Sequence, residues 1–151
     1  MYHAIMKSKL RQVFEELNQR NYDPVLSSLA PSFKHSFAGQ HCLGGERSSL
    51  PAYRQWFQRL FEVFPDIKFE ITNLVVHGPP WNTWVTVEWN DRLTTKDGVT
   101  RANSGAHVMR FKWTKATEVR IYVDTERVKQ FCAIQQDHGV AAAGAPPILD
   151  S

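Results

Sequence analysis

Two ionisable residues fall on the apolar side of predicted β-strands, and their chemistry is the first feature to explain. Apolar and polar side chains alternate over Thr83–Leu93. Most of the apolar residues occupy odd-numbered positions, and Asp91 lies at one of these positions. The alternation recurs over Arg101–Trp113, where His107 has the apolar parity. Because successive side chains of a strand point to opposite faces, both residues are predicted to lie on a buried face. The pattern therefore predicts a cavity that contains an acid and an imidazole.

Burial would give each of these groups a chemical use. Desolvation raises the pKa of a carboxyl group, which would bring Asp91 towards the range of a general acid or base. The ordinary pKa of a histidine lies near 6.5, so His107 could take or give a proton near neutrality. The alternative for Asp91 is a solvated strand end or an ion pair with Arg92 or Arg101. The alternative for His107 is a buried ring whose hydrogen bonds are satisfied internally.

Three neighbours on the same parity complete the predicted inner face. Trp89 lies beside Asp91 and is predicted to form part of the cavity wall. Asn103 could donate a hydrogen bond to a substrate carbonyl, or it could be solvated at the strand end. Gly105 either leaves room for a ligand or marks a bend in the strand.

Helices and strands elsewhere in the chain must position these residues. A helical apolar stripe predicts a first helix, and Asp23 and Pro24 suit the cap and first position of a short second one. Pro65 ends a third helix, because the residue before proline is disfavoured in the helical region. Lys96-Asp97-Gly98 predicts the hairpin between the two alternating strands. The predicted order is helix 3–20, helix 25–29, strand 32–37, loop 38–49, helix 50–64, strands 67–76, 83–93, 101–113 and 118–123, and helix 126–138.

Length and composition limit the class of protein. A chain of 151 residues that is 42% hydrophobic can bury a core in one domain, which we place at residues 1–138. Residues 139–151 are rich in Ala, Gly and Pro and form a predicted tail that is mobile or packs on a neighbour. Cys42 and Cys132 lack metal-ligand spacing and are predicted to be free thiols.

Charge and hydropathy limit the partners. The net charge is +3, and because acidic and basic residues are interleaved, we predict no nucleic-acid surface. The first seventeen residues fit neither a signal peptide nor a membrane span. We therefore predict a cytoplasmic protein with no membrane partner.

The element order resembles the NTF2-like superfamily, and more closely its SnoaL-like, ketosteroid-isomerase-related branch. The segments that carry the resemblance are Phe64-Pro65-Asp66, Val87-Glu88-Trp89, the glycine-bounded hairpin and Ile121-Tyr122-Val123-Asp124-Thr125. The resemblance implies a cone-shaped α+β fold, in which three N-terminal helices pack on a curved, mostly antiparallel sheet that is followed by a C-terminal helix. It further implies a hydrophobic pocket, a homodimer, and neither a metal nor an organic cofactor.

The same resemblance assigns roles to particular residues. His107 lies in the strand where cyclases of this branch carry a pocket histidine, and Asp124 lies near their catalytic aspartate. Asp124 also precedes a predicted helix, so a capping role is the alternative. The resemblance places His35 and Tyr53 against a bound substrate.

The resemblance also weighs against one reaction. Asp91 matches one carboxylate of related epoxide hydrolases. Trp89 replaces their arginine, and Ile121 replaces their second carboxylate, which argues against epoxide hydrolysis.

Two functional hypotheses remain at this point. In the first, the protein is an acid–base isomerase, cyclase or dehydratase that acts on a small apolar carbonyl compound. Asp91, His107 and Asp124 are then the expected catalytic residues, and Trp89, Asn103, His35 and Tyr53 are the expected substrate contacts. In the second, the protein is a non-catalytic ligand-binding or dimerisation domain with the same pocket. Catalysis requires Asp91 and His107 to line one cavity within reach of a common ligand atom.

Overall fold

A curved, mixed β-sheet of six strands is the framework of the molecule. The structure is a computed structural model that describes residues 1–150. Neighbouring strands are antiparallel except for the first and sixth, which run parallel. The strands are β1 (Leu29–Phe37), β2 (Gly45–Arg47), β3 (Lys68–His77), β4 (Thr83–Thr94), β5 (Thr100–Lys112) and β6 (Lys115–Val123). Their order across the sheet is β2-β1-β6-β5-β4-β3.

Four α-helices accompany this sheet, which confirms the α+β class. They are α1 (Tyr2–Asn18), α2 (Asp23–Ser27), α3 (Leu50–Val63) and α4 (Thr125–Asp137). Two strands separate α3 from α1 and α2, so the expected group of three N-terminal helices is not continuous in the chain. The C-terminal helix follows β6 as predicted. Within residues 1–150 no helix has the length and apolar character needed to cross a membrane.

The predicted inner face is confirmed along β4 and along β5 as far as Phe111, whereas Trp113 lies in the turn after β5 and is exposed. Along β4 the inward residues are buried from Thr83 to Leu93, and the residues between them are exposed or half-buried. In β5, Asn103 is buried on the same face. The buried apolar side chains of α1 and α3 join this face in one hydrophobic core, which includes Met6, Leu10, Phe14, Leu17, Trp56, Phe57 and Leu60.

The first two strands differ from the prediction. Leu29 was expected to be helical, but β1 begins there and contains Pro31. The register with β6 shifts between Leu29 and Lys34, so Pro31 lies in an irregular stretch where its missing N–H interrupts no regular ladder. β2 was predicted as loop, because three residues are too few to show a periodic pattern, but it pairs with the end of β1.

The helix caps were predicted with mixed success. Ser49 caps α3, since its Oγ accepts a hydrogen bond from the Ala52 N–H at 3.3 Å. Asp124 caps α4 in the same way, through the N–H groups of Glu126 and Arg127. The prediction that Asp23 caps α2 is wrong, because Tyr22 occupies that position and Asp23 is the first helical residue.

The segment after α4 packs against the same body. It forms a short 3-10 turn at Ala141–Gly144 and then crosses β2 and the start of α3. The buried Arg47 donates from Nε to the Ile148 carbonyl at 2.9 Å, and the Asp150 carboxylate accepts hydrogen bonds from Ser48 and Ser49. The last residue of the predicted tail, Ser151, lies outside the described residues.

Candidate functional site

A cavity of about 490 Å³ lies between the concave face of the sheet and the helices. Its walls are mostly apolar, with contributions from α1, α3, α4 and the inner residues of β4, β5 and β6. Exposed residues join the lining only where α1, α2 and the β5–β6 turn meet, and this is where the cavity opens. These residues are Lys9, Gln12, Asn21, Ser27, Thr114 and Lys115.

The cavity follows β5 from its mouth to a closed end. Phe111 lies near the mouth, His107 lies midway, and Asn103 lies at the far end. Val128 and Phe131 of α4 line that far end and are both buried. Polar groups are therefore placed at increasing depth along an otherwise apolar channel.

Asp91 lies at the deep end and is 8% exposed. Burial raises the pKa of its carboxyl group to about 6, although the backbone N–H of Asn103 acts in the opposite direction. Among the described residues Oδ1 has no hydrogen-bond partner. Arg101 instead pairs with Asp97 at 2.9 Å, and Arg92 is exposed on the outer face, so the alternative of an ion pair with either arginine is wrong. A carboxyl group with one uncommitted oxygen faces an apolar space.

His107 contacts the middle of the cavity, where its ring is half-buried because it faces the cavity space. Its Nδ1 accepts a hydrogen bond from Trp89 Nε1 at 2.8 Å. Since an indole N–H can only donate, the neutral imidazole carries its proton on Nε2. Burial lowers the pKa of His107 to about 3. Burial thus favours the neutral ring over the imidazolium, which weighs against the expectation that this histidine exchanges protons near neutrality.

The two groups lie at different depths. Asp91 pairs across the strands with Asn103, and His107 follows four residues later on β5. At about 3.3 Å per residue, their backbone positions are about 13 Å apart along the strands. Trp89, which pairs with Gly105, lies between them. Asp91 and His107 therefore line one cavity as expected, at two depths along it.

Asn103 lines the deep end, but its amide is already engaged. Nδ2 donates to the Asp124 carbonyl at 3.1 Å, and Oδ1 accepts from the Ser104 N–H at 2.9 Å. These bonds join β5 to the start of α4. The arrangement favours a structural role for Asn103 over the predicted contact with a substrate carbonyl.

Tyr53 and His35 take different places. Tyr53 lines the cavity, whereas His35 is fully buried behind Tyr53. The two rings are stacked, with their centroids 4.1 Å apart. His35 Nδ1 accepts a hydrogen bond from Arg47 Nη1 at 2.5 Å, and burial holds the pKa of His35 well below its usual range. His35 is not among the lining residues, so the expected substrate contact is corrected to a position behind the wall.

Asp124 lies outside the cavity. Its side chain is half exposed, caps α4 and forms an ion pair with Arg127 at 3.5 Å. The structure therefore supports the capping interpretation and corrects the catalytic one, because the carboxylate points to the helix start and not to the ligand space.

Sequence reasoning missed two contributors to this site. The Phe14 and His107 rings are in a T-shaped contact, with their centroids 5.2 Å apart. Phe131 closes the deep end of the cavity. The periodic apolar stripe of α1 identified Phe14 as a core residue, but no local pattern could show which strand residue it meets. Within residues 1–150 no group of three His, Cys, Asp or Glu side chains is placed to hold a metal ion.

Comparison with known proteins identifies the family. The SnoaL-like domain matches residues 10–119, which is most of the chain. The chain belongs to the SnoaL-like family. No curated protein matches the sequence significantly.

Solved structures similar to this SnoaL-like protein share its fold at low sequence identity. An NTF2-like protein of unknown function from Burkholderia pseudomallei is 18% identical, with a TM-score of 0.70 over 83% of this chain and 95% of that chain. TerC, co-crystallised with polyporic acid, is 16% identical, with a TM-score of 0.69 over 82% and 95%. A putative SnoaL-like polyketide cyclase from Jannaschia is 16% identical, with a TM-score of 0.64 over 93% and 92%.

The buried carboxyl group predicts an unusual dependence of stability on pH. The pKa of Asp91 is about 6 in the folded protein and near 3.8 in the unfolded chain, so the folded state holds the proton more tightly. The stability gained from that proton is complete below pH ~4 and is lost as the pH rises through ~6. An asparagine side chain carries no charge, so Asp91→Asn should gain about 2 kcal/mol over wild type between pH 4 and pH 8.

Urea denaturation at the two pH values measures this gain. Asp137→Asn, which replaces an exposed carboxylate, is the matched control and should show no such gain. A difference between Asp91→Asn and wild type that is equal at both pH values would contradict the buried carboxyl group.

The capping role of Asp124 is tested by two substitutions. Asp124→Ala removes the acceptor of two backbone N–H groups and should lower the free energy of unfolding by about 1 kcal/mol at pH 7. Asp124→Asn keeps a good cap and should retain most of that stability. Chemical denaturation of both variants decides the matter, and an Asp124→Ala variant as stable as wild type would contradict the cap.

Proposed function

We propose that this SnoaL-like protein binds an elongated, mostly apolar carbonyl compound and catalyses proton transfer on it, as an isomerase, cyclase or dehydratase does. The observation that carries the proposal is the Asp91 carboxyl group, which is buried at the deep end of an apolar cavity with one oxygen uncommitted. A structural carboxylate in such a place would be expected to have a partner for each of its buried oxygens.

Asp91 is suited to act as a general base. With a pKa of about 6 it is mostly ionised at neutral pH, and its basicity is higher than that of an exposed aspartate. A base whose pKa lies near the working pH combines a useful ionised fraction with a useful proton affinity. The apolar wall also keeps water away from the carboxylate, so a bound C–H or O–H group faces little competition for it.

His107 is suited to stabilise an oxygen without changing its own charge. The Nε2–H group of the neutral ring is left to donate into the cavity, because Nδ1 is occupied by Trp89. A fixed donor aimed at an oxygen that becomes negative lowers the barrier of reactions that pass through an enolate. Its low pKa prevents the ring from protonating the product or from repelling cationic groups nearby.

The distance between the two groups selects a conjugated ligand. In the proposed step a C–H bond at the deep end breaks, its proton moves to the Asp91 carboxylate, and the electron pair is delocalised through conjugated bonds onto the carbonyl oxygen. That oxygen accepts the hydrogen bond of His107 Nε2. Asp91 then gives its proton back. Delivered to another carbon, the proton completes an isomerisation. If the enolate carbon first forms a bond to a second carbonyl carbon, the proton neutralises the resulting alkoxide and completes a cyclisation. Delivered to a departing hydroxyl group, whose C–O bond breaks so that it leaves as water, the proton completes a dehydration.

Size and family agree with such a ligand. The cavity volume of about 490 Å³ lies within the range that small-molecule sites have. Among the related folds, TerC is named with bound polyporic acid and the Jannaschia protein as a putative polyketide cyclase. These names support an aromatic or polycyclic carbonyl compound as the ligand class.

A non-catalytic binding protein is the second candidate, and one observation favours it. Asp91 and His107 are four residues apart along the sheet, which is a wider spacing than a compact acid–base site needs. An apolar compound with an oxygen at each end could satisfy both groups without reacting.

Hydrogen–deuterium exchange distinguishes these two functions. Anthrone and androst-4-ene-3,17-dione are incubated with the protein in D₂O, and the deuterium in each compound is followed by mass spectrometry. Proton transfer predicts exchange above the buffer rate that increases as the pH rises through ~6, where Asp91 ionises. Asp91→Asn should slow this exchange by roughly 10²-fold or more, and His107→Phe by a similar factor.

Binding is measured in parallel, and Asp137→Asn serves again as the matched control. Thermal shifts with the same compounds should persist in Asp91→Asn, which keeps the shape of the cavity. Shifts without exchange in wild type would overturn the catalytic function and leave the binding function. Exchange that is unchanged in Asp91→Asn would overturn the role of this residue.

We further infer that two copies associate through the outer face of the sheet, which no helix covers. Tyr122 and Val75 are about half exposed there, and Val108 lies near the centre of the face on β5. Arg120 and Glu118 form an ion pair with each other on this face at 3.0 Å, so the face carries charges of both signs.

Sedimentation velocity tests this assembly. Wild type should sediment with twice the 17.4 kDa mass of the chain. Val108→Glu should shift the protein to the monomer, because it places like charges opposite each other near the symmetry axis. Lys7→Glu, an exposed change on α1, is the control and should remain dimeric. A monomeric wild type would overturn the dimer.

A further inference from the structure

We propose that Trp89 is a positioning residue that fixes the tautomer of His107, so that the cavity accepts only a hydrogen-bond acceptor at this depth. The indole contributes this effect through one hydrogen bond and through its rigid placement against the sheet. The assignment of the ligand oxygen rests on the proposed function, whereas the effect of Trp89 on the imidazole does not depend on any ligand.

The hydrogen bond determines which nitrogen carries the proton. Trp89 Nε1 lies 2.8 Å from His107 Nδ1, and an indole nitrogen has a proton to donate and no lone pair to offer. His107 Nδ1 must therefore be unprotonated while this bond persists. A protonated imidazolium would place two N–H groups against each other, so the indole opposes protonation as burial does.

Gly105 fixes the indole in place. It faces Trp89 across the two strands, and a Cβ atom at this position would lie 2.8 Å from Trp89 Cη2 and would also collide with the Tyr122 carbonyl oxygen. The absence of a side chain thus lets the large ring lie flat against β5. This resolves the two interpretations of Gly105, since the space that it leaves is filled by Trp89.

Contacts with neighbouring aromatic rings restrict the rotation of Trp89 and His107. Phe69 meets the Trp89 ring edge-on at 5.0 Å, and Trp89 is 3% exposed. Phe14 meets the His107 ring edge-on at 5.2 Å. Rotation of either ring would break these contacts together with the hydrogen bond. The pair is therefore held as a unit by β3, β5 and α1.

The chemical consequence is that His107 offers a ligand a hydrogen-bond donor and no acceptor. With Nδ1 occupied, the only polar group that His107 can offer a ligand is Nε2–H. A carbonyl or phenolate oxygen satisfies this donor, whereas a methylene group in the same place leaves a buried N–H unpaired. Without Trp89 the ring could present a lone pair or take up a proton, and the same histidine would then act as an acid or base.

Nitrogen-15 NMR of the imidazole rings in the ligand-free protein tests the effect of Trp89. In wild type, His107 should show the Nε2–H tautomer and remain neutral down to pH ~4. In Trp89→Phe, which removes the N–H but keeps an aromatic ring, the spectrum should show a mixture of tautomers and the pKa of His107 should rise. Trp84→Phe, on the opposite face of the same strand, should leave the His107 signals unchanged.

Two results would overturn the inference. One is an Nδ1–H tautomer in wild type, which is decisive even if Trp89→Phe fails to fold. The other is a folded Trp89→Phe whose His107 signals match wild type. Because no ligand is present, these results are independent of the exchange experiment, which can fail while the tautomer remains fixed.

A matched pair of compounds tests the polarity of the site. 9-Fluorenone and fluorene differ by one carbonyl oxygen, and wild type should bind the ketone more tightly by about tenfold, as one hydrogen bond allows. That ratio should fall in Trp89→Phe, because only the rings with the proton on Nε2 then favour the ketone, and it should persist in Trp84→Phe. Equal affinity of wild type for both compounds would overturn the requirement for an acceptor.

Discussion

A polar group on the concave face of the sheet is costly unless it is hydrogen-bonded or uncharged, because the helices cover that face with hydrocarbon. This constraint follows from the strict alternation of β4 and β5, which directs Asp91 and His107 inward with their apolar neighbours. Trp89 satisfies one nitrogen of His107, and the backbone satisfies the amide of Asn103. One oxygen of Asp91 is left without a partner among the described residues, and this marks the place where chemistry is possible.

The same desolvation has opposite consequences for the two titratable groups. It raises the pKa of Asp91 to about 6 and lowers the pKa of His107 to about 3, since burial disfavours the charged form of each. Near neutrality one group is a carboxylate of raised basicity and the other is an uncharged donor. In the proposed reaction, one apolar environment thus supplies both a base and an electrostatic stabiliser, and no charged partner is needed to distinguish the two groups.

The parts of this arrangement that are local were predictable from the sequence. Strand alternation identified the inward residues. The position of Asp124 directly before a helix indicated that it could be a cap. The bond from Trp89 to His107 joins residues eighteen positions apart and depends on the register of two strands, which their alternation does not determine. The burial of Arg47 also left no signal, because its partners come from β1 and from the end of the chain.

The bond between Arg47 and the Ile148 carbonyl gives the last part of the chain a role in the integrity of the domain. The guanidinium group has no solvent contact and relies on two backbone oxygens and one imidazole nitrogen. Trimming residues 145–150 would leave a cation short of an acceptor inside the protein, which is costly. A shortened chain therefore has to extend at least to Ile148 if Arg47 is to keep this acceptor.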